Sequence, residues 1–205
     1  MNPPGLSTNR IEAFSDGVFA IAITLLILEV RVPMVAEGES LSHTLVAIWP
    51  KLVAYAVSFA VIGIFWIGHH IMFHYIKRSD RMLLWLNTML LMTISAIPFA
   101  AALIGEYLHE PIAAAIYGIF LSVDGFLFYA VWAYASHKRR LTSPTLSTEL
   151  ISLAKKIILF APVVYALAAG VAFINPLISD VLYLLVPIAY LIPSPIDRLV
   201  SYEEA

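Results

Sequence analysis

Several polar side chains stand inside long apolar runs of this chain: Arg10, Ser15 and Asp16 open the first run, His69, His70 and His74 end the second, and Asn87 lies just inside the third. Taking such groups out of water costs several kcal/mol each unless partners are found. At these positions they must therefore bond one another inside a helix bundle or serve a pathway. His70 and His74, at i and i+4, share one helical face, which is the spacing of paired metal ligands. The remaining histidines, His43, His109 and His137, are scattered, so no metal is expected. A hydrogen-bonded cluster of Arg10, Ser15, Asp16, His69 or His70, and Asn87 suits one shared depth better, and its expected role is to lock the first helix. Asp124, in the middle of the fourth run, is a candidate proton relay or a hydrogen-bond partner of Ser122, a tyrosine or a neighbouring helix.

On a helix turning about 100° per residue, Gly17, Ile21, Leu25, Leu28 and Val32 form one stripe with Thr24 on its flank. Ser15 and Asp16 point roughly 120° or more away from it. Taken alone, an apolar stripe faces lipid or packs in a core. No nucleophile elbow, phosphate-binding glycine loop or zinc-protease motif is present, and neither is the Thr-Val-Gly-Tyr-Gly filter of common potassium-channel pore loops. Apart from the histidines, nothing in the chain points to an enzyme or to a cofactor.

The elements that must hold these residues are membrane helices. The chain is 61% hydrophobic and 13% charged, too apolar for a soluble domain of its length. Spans are predicted at Asn9 to Val32, Thr44 to Tyr75, Arg81 to Gly105, Pro111 to His137, Leu150 to Phe173 and Pro176 to Ile192. The expected fold is an all-α integral membrane protein of six transmembrane helices, one domain over residues 1–205; no strand-length alternation suggests a barrel. Asn9 with Glu12 resembles a capping box, Pro33 closes the first span, and Asn175 precedes Pro176 as a potential cap. The connection from Ser136 to Glu149, with Pro144 and several hydroxyl residues, is expected to be a flexible linker.

Of the 12 Lys and Arg residues, only Arg31 and Lys51 fall on one side. Lys77, Arg78, Arg81, Lys138, Arg139, Arg140, Lys155 and Lys156, with Arg10 and Arg198, fall on the other, so both termini are expected in the cytoplasm of a multi-pass cell-membrane protein. Glu37, Glu39, Glu106 and Glu110 give the opposite face a weakly acidic character. The absence of cysteine excludes disulfides and thiolate chemistry. No basic leader suggests a cleaved signal peptide, and no basic patch with interleaved aromatics suggests nucleic acid.

Arg10-x-x-x-Phe14-Ser15-Asp16, Trp66-x-x-His69-His70 and Trp85-x-Asn87 resemble the bacterial relatives of the lysosomal potassium channel, a family without the usual pore loop. The resemblance runs through all six spans. It implies a homotetramer in the lipid bilayer, four first helices lining a pore for K+ ions, and an hourglass with a hydrophobic neck. Counting from the signature implies constriction at Ile21, Leu25 and Leu28, with Thr24 as the hydroxyl for selectivity. These fall on the stripe found by the helix wheel, so the pore reading overtakes lipid or core packing. Two other functions stay open: a proton- or cation-coupled secondary transporter using Asp124 and the histidines, and a membrane enzyme using His69, His70 and His74.

Overall fold

In the computed structural model, residues 7–35, 37–38 and 40–192 are described. Glu39 and Arg198, which enter the orientation argument, lie outside them. The first helix, α1 (Asn9–Leu25), tightens into a 3₁₀ turn over Leu26–Glu29. The expected capping box at Asn9 does not form. Helical backbone already begins at Thr8, whose carbonyl accepts the Ile11 and Glu12 amides at 2.8 and 3.0 Å, which leaves Asn9 inside the helix.

The second predicted span is two helices, not one. α2 (Leu41–Ala47) is capped by the Ser40 hydroxyl, and α3 (Trp49–Tyr75) starts after a break at Ile48. Pro50 explains the break: without an N–H it fits the first turn of a helix and not the interior of one. The third span is interrupted in the same way, into α4 (Arg81–Ile94) and α5 (Ile97–Glu106). Pro98 has no hydrogen for the Ile94 carbonyl, so α4 stops there and Ala96 N–H turns back to Thr93 O at 3.0 Å.

α6 (Pro111–Ser136), α7 (Thr148–Val171) and α8 (Pro176–Leu191) complete the bundle. Asn175 caps α8 as expected, its Oδ1 accepting the Leu177 amide at 3.0 Å. Among the described residues, five stretches are long and apolar enough to cross a membrane, and the 16-residue α8 is a shorter sixth. The fold is all-α, in agreement with the six-span reading.

The interior lies where α6 meets α4, α5 and α7. Leu90, Ile94, Ile97, Tyr117 and Leu121 are fully buried there. Three polar pairs link helices in this region: Ser58 with Tyr117 at 2.9 Å, Ser122 to the Pro162 carbonyl at 3.0 Å, and Tyr183 to the Ala114 carbonyl at 2.9 Å.

The connection after α6 is not a free linker. Leu141 O accepts the Lys77 amide at 2.9 Å and Ser143 N–H bonds Tyr75 O at 3.1 Å, forming an antiparallel bridge between Ile76 and Thr142. Ile76, Thr142 and Leu146 are buried. The apolar residues spaced along this polar stretch seat it against the end of α3, which composition alone did not indicate.

The exposed face of the first helix and its polar anchor

α1 has two faces. Ile11, Ser15, Phe19, Ala22 and Leu26 recur every three or four residues, are buried, and face the α3, α4 and α5 helices on which α1 packs. On the other side Ile21 is 61% exposed, Leu25 41% and Leu28 67%, with Thr24 exposed between them. Val32 shares the predicted stripe only in sequence: the helix has ended by Glu29, and Val32 sits in irregular backbone. The Thr24 hydroxyl donates to its own helix, at 2.9 Å from both the Ala20 and Ile21 carbonyls. Its hydrogen is thereby committed inward, and the oxygen's lone pairs are left for an outside partner.

The buried side of α1 is fastened by a three-residue chain of hydrogen bonds. Asn87 Nδ2 donates to Ser15 Oγ at 3.0 Å, and Asn87 Oδ1 lies 2.9 Å from His69 Nε2. With the amide so assigned, Nε2 must carry the imidazole hydrogen. All three side chains are buried. Aromatic rings fix the imidazole: Phe73 stacks on it at 4.3 Å between centroids and Phe19 of α1 meets it edge-on at 5.5 Å. One residue each from α1, α3 and α4 is thus joined in a dry setting where every bond has high stakes.

Of the six residues expected in the cluster, the structure joins Ser15, His69 and Asn87 and leaves the other three outside this chain. Asp16 is exposed and accepts the Trp66 indole N–H at 2.9 Å. Neighbours on a helix differ by about 100° in direction, so Ser15 and Asp16 cannot both face the same partner. His70 is exposed and stacks on Trp66 at 6.2 Å, and Arg10 is exposed. Of the other paired histidine positions, His74 meets Tyr75 edge-on at 5.1 Å. The sequence does not indicate the pairing of Trp66 with Asp16 or the aromatic cage of Phe19 and Phe73; the matched depth of Trp66 and Asp16 at the end of their runs is the one signal for the first.

Asp124 is fully buried beside Thr93 of α4, and neither carboxylate oxygen completes a hydrogen bond among the described residues. The expected partner Ser122 is engaged by Pro162 instead. Outside the spans, Asp80 caps α4 by accepting the Leu83 amide at 3.0 Å, and its second oxygen receives the Tyr134 hydroxyl at 2.7 Å and faces Arg140 at 3.1 Å. Partial burial acts to raise this carboxyl, and the Leu83 amide, the Tyr134 hydroxyl and the Arg140 guanidinium together outweigh it, holding Asp80 below the ordinary carboxylate range.

Residues 10–98 match the family model described as endosomal/lysosomal potassium channel TMEM175. A potassium channel of Streptomyces collinus is 40% identical over 82% of this chain and 84% of its own length. A potassium channel of Chamaesiphon minutus is 39% identical over 86% of this chain and 90% of its own. The crystal structure of a lysosomal potassium-selective channel TMEM175 homolog from Chamaesiphon minutus superposes with a TM-score of 0.81 at 34% identity, covering 89% of this chain and 95% of that one. With the family-model match over residues 10–98, a shared fold and this identity over most of its length, the chain belongs to the TMEM175 family, a family of ion channels and not of enzymes.

Proposed function

We propose that the chain forms a potassium-permeable cation channel, a homotetramer whose four copies of α1 line the pore. The observation that carries this reading is the exposed face of α1. The helix commits one side to its own subunit and leaves Ile21, Thr24, Leu25 and Leu28 uncovered, and the relatives that share the fold and most of the length are named potassium channels. Four isoleucines at position 21 around an axis make a collar that water leaves readily, which blocks ions without a moving plug. Leu25 and Leu28 extend the apolar neck. Between Ile21 and Leu25, Thr24 offers oxygen lone pairs whose geometry is set by its bonds to Ala20 and Ile21, so four such hydroxyls partly replace an ion's hydration shell. Neutral hydroxyls are weaker ligands than stacked carbonyl rings, and selectivity is correspondingly modest.

In this reading residues 1–205 act as one six-helix channel domain in the cell membrane with both termini cytoplasmic. The Ser15–Asn87–His69 chain holds α1 at its cytoplasmic end. Substituting Ile21→Asn keeps the ring wet and raises potassium leak several-fold in liposomes at matched incorporation. Unchanged or lower flux from intact oligomers removes Ile21 from the gate.

A second reading, a proton- or cation-coupled transporter, is favoured by one observation: a fully buried carboxyl at Asp124, beside Thr93, whose oxygens complete no hydrogen bond among the described residues. Groups of this kind mark ion and proton relays in membrane proteins. The two readings separate in planar bilayers, where a channel gives unitary currents and a transporter gives only saturable, coupled flux.

A further inference from the structure

The two basic connections deserve a role beyond topology. A positive-inside bias requires only that Lys and Arg lie on one side of the membrane. It does not require the two connections to be laid edge to edge, yet the amides of Lys77 and Arg78 both bond Leu141 O, at 2.9 and 3.3 Å, with Ile76 and Leu141 buried beneath them. This builds a fixed platform from the segment joining α3 to α4 and the segment following α6.

Two of its cations are used to hold the platform. Arg139 donates to Leu146 O at 3.0 Å and Thr148 Oγ1 at 2.9 Å, and Arg140 pairs with Asp80 while covering the Tyr134 ring at 5.3 Å. Lys77, Arg78, Arg81 and Lys138 are exposed and make no ion pair among the described residues. Arg81 sits at the first position of α4, whose amide end is already capped by the Asp80 carboxylate, and that carboxylate pairs with Arg140, so the Arg81 charge keeps no acidic partner among the described residues. Lys138 and Arg139 hold left-handed backbone, at φ of 50° and 53°, a conformation that non-glycine residues rarely adopt. That turn reverses the chain within a few residues of the end of α6, so Lys138 stays at the level where the span ends.

The height of the platform selects the ligand. α3 ends at Tyr75, α4 begins at Arg81 and α6 ends at Ser136, so these cations lie at the depth of lipid headgroups, within reach of long snorkelling side chains. We propose that Lys77, Arg78, Arg81 and Lys138 form a site for the phosphate of an anionic phospholipid headgroup. Clusters of four or more basic residues at the end of a membrane helix attract such lipids. Occupancy stabilises the junction of α4 with α6, and α4 carries the Asn87 that holds Ser15 of α1. The proposal rests on the membrane-spanning fold and not on potassium permeation.

The test uses the purified full chain in neutral detergent, melted with added phosphatidylglycerol or phosphatidylcholine. Phosphatidylglycerol at about ten times its dissociation constant should raise the melting temperature by about 4 °C over phosphatidylcholine. The triple variant K77Q/R78Q/K138Q, which retains Arg81, Arg139 and Arg140, should lose most of that rise. Equal melting in the two lipids, or an undiminished response of the triple variant, overturns the site. An equal response to soluble glycerol phosphate overturns the lipid assignment. If the triple variant does not fold, the wild-type chain decides: the phosphatidylglycerol shift must shrink as ionic strength rises from about 0.05 to 0.5 M, and a salt-independent shift overturns an electrostatic site. Potassium flux enters none of these readouts, so failure here leaves the channel reading intact, and the reverse.

Discussion

Two hydroxyls on α1, Ser15 and Thr24, serve opposite purposes because their surroundings differ. Ser15 is buried and accepts from Asn87, closing a chain that begins at the His69 imidazole. Losing the Asn87 amide would leave two buried polar groups without partners, at about 1–3 kcal/mol each. Thr24 is exposed and turns its hydrogen back onto its own helix, so its outward chemistry is that of a bare oxygen. Thr24→Val preserves shape and deletes that oxygen. Potassium-over-sodium preference, read from reversal potentials under bi-ionic conditions, is expected to fall severalfold while the melting temperature stays within a few degrees. A wild-type ratio in this variant moves selectivity to another position.

Helix interruptions and close approaches set the geometry at the scale of elements. Pro50 and Pro98 each stand at the second position of a new helix, where the missing N–H is tolerated, and each withholds the hydrogen that would have continued the helix before it. α6 and α7 achieve their contact differently. A Cβ at Gly125 would stand 2.7 Å from Pro162 Cβ and 2.9 Å from its Cγ and Cδ, and a proline ring cannot swing aside as a flexible side chain can. Gly125→Ala is therefore expected to push α7 from α6 and destabilise the fold by about 1–3 kcal/mol. Thermal unfolding in detergent measures this, and a variant as stable as wild type would mean that α7 yields without cost.

For the whole molecule, stability depends on connections that look like surface loops. Asp80 joins them: it caps α4, receives Tyr134 of α6 and pairs with Arg140 beyond it. Its folded carboxyl is held below the ordinary value of 3.8. The stabilisation is therefore complete above that value and is lost as pH falls through the lower folded one, because the unfolded chain takes up the proton first. Wild type should be more stable than Asp80→Asn at neutral pH, with the gap closing in strong acid. Melting temperatures of both proteins across a pH series check this; a constant gap would show that the carboxylate charge contributes nothing.

The sequence by itself determined the class of the molecule: apolar runs long enough for a bilayer, the separation of basic from acidic connections, and the two faces of α1. These are set by composition and by the 3.6-residue period, which act within a single segment. It also indicated that Ser15, His69 and Asn87 share a depth. Only tertiary structure decided which polar residues meet. A rotation of about 100° between neighbours sends Ser15 into the core and Asp16 to Trp66 at the surface, and separates His69 from His70 in the same way. Likewise residues 136–149 are held in place by the segment after Tyr75, a pairing partner more than sixty residues away in the chain, which local composition does not reveal. Periodicity locates a face, but the neighbours that cover it come from other helices, and their contacts are settled when the bundle packs.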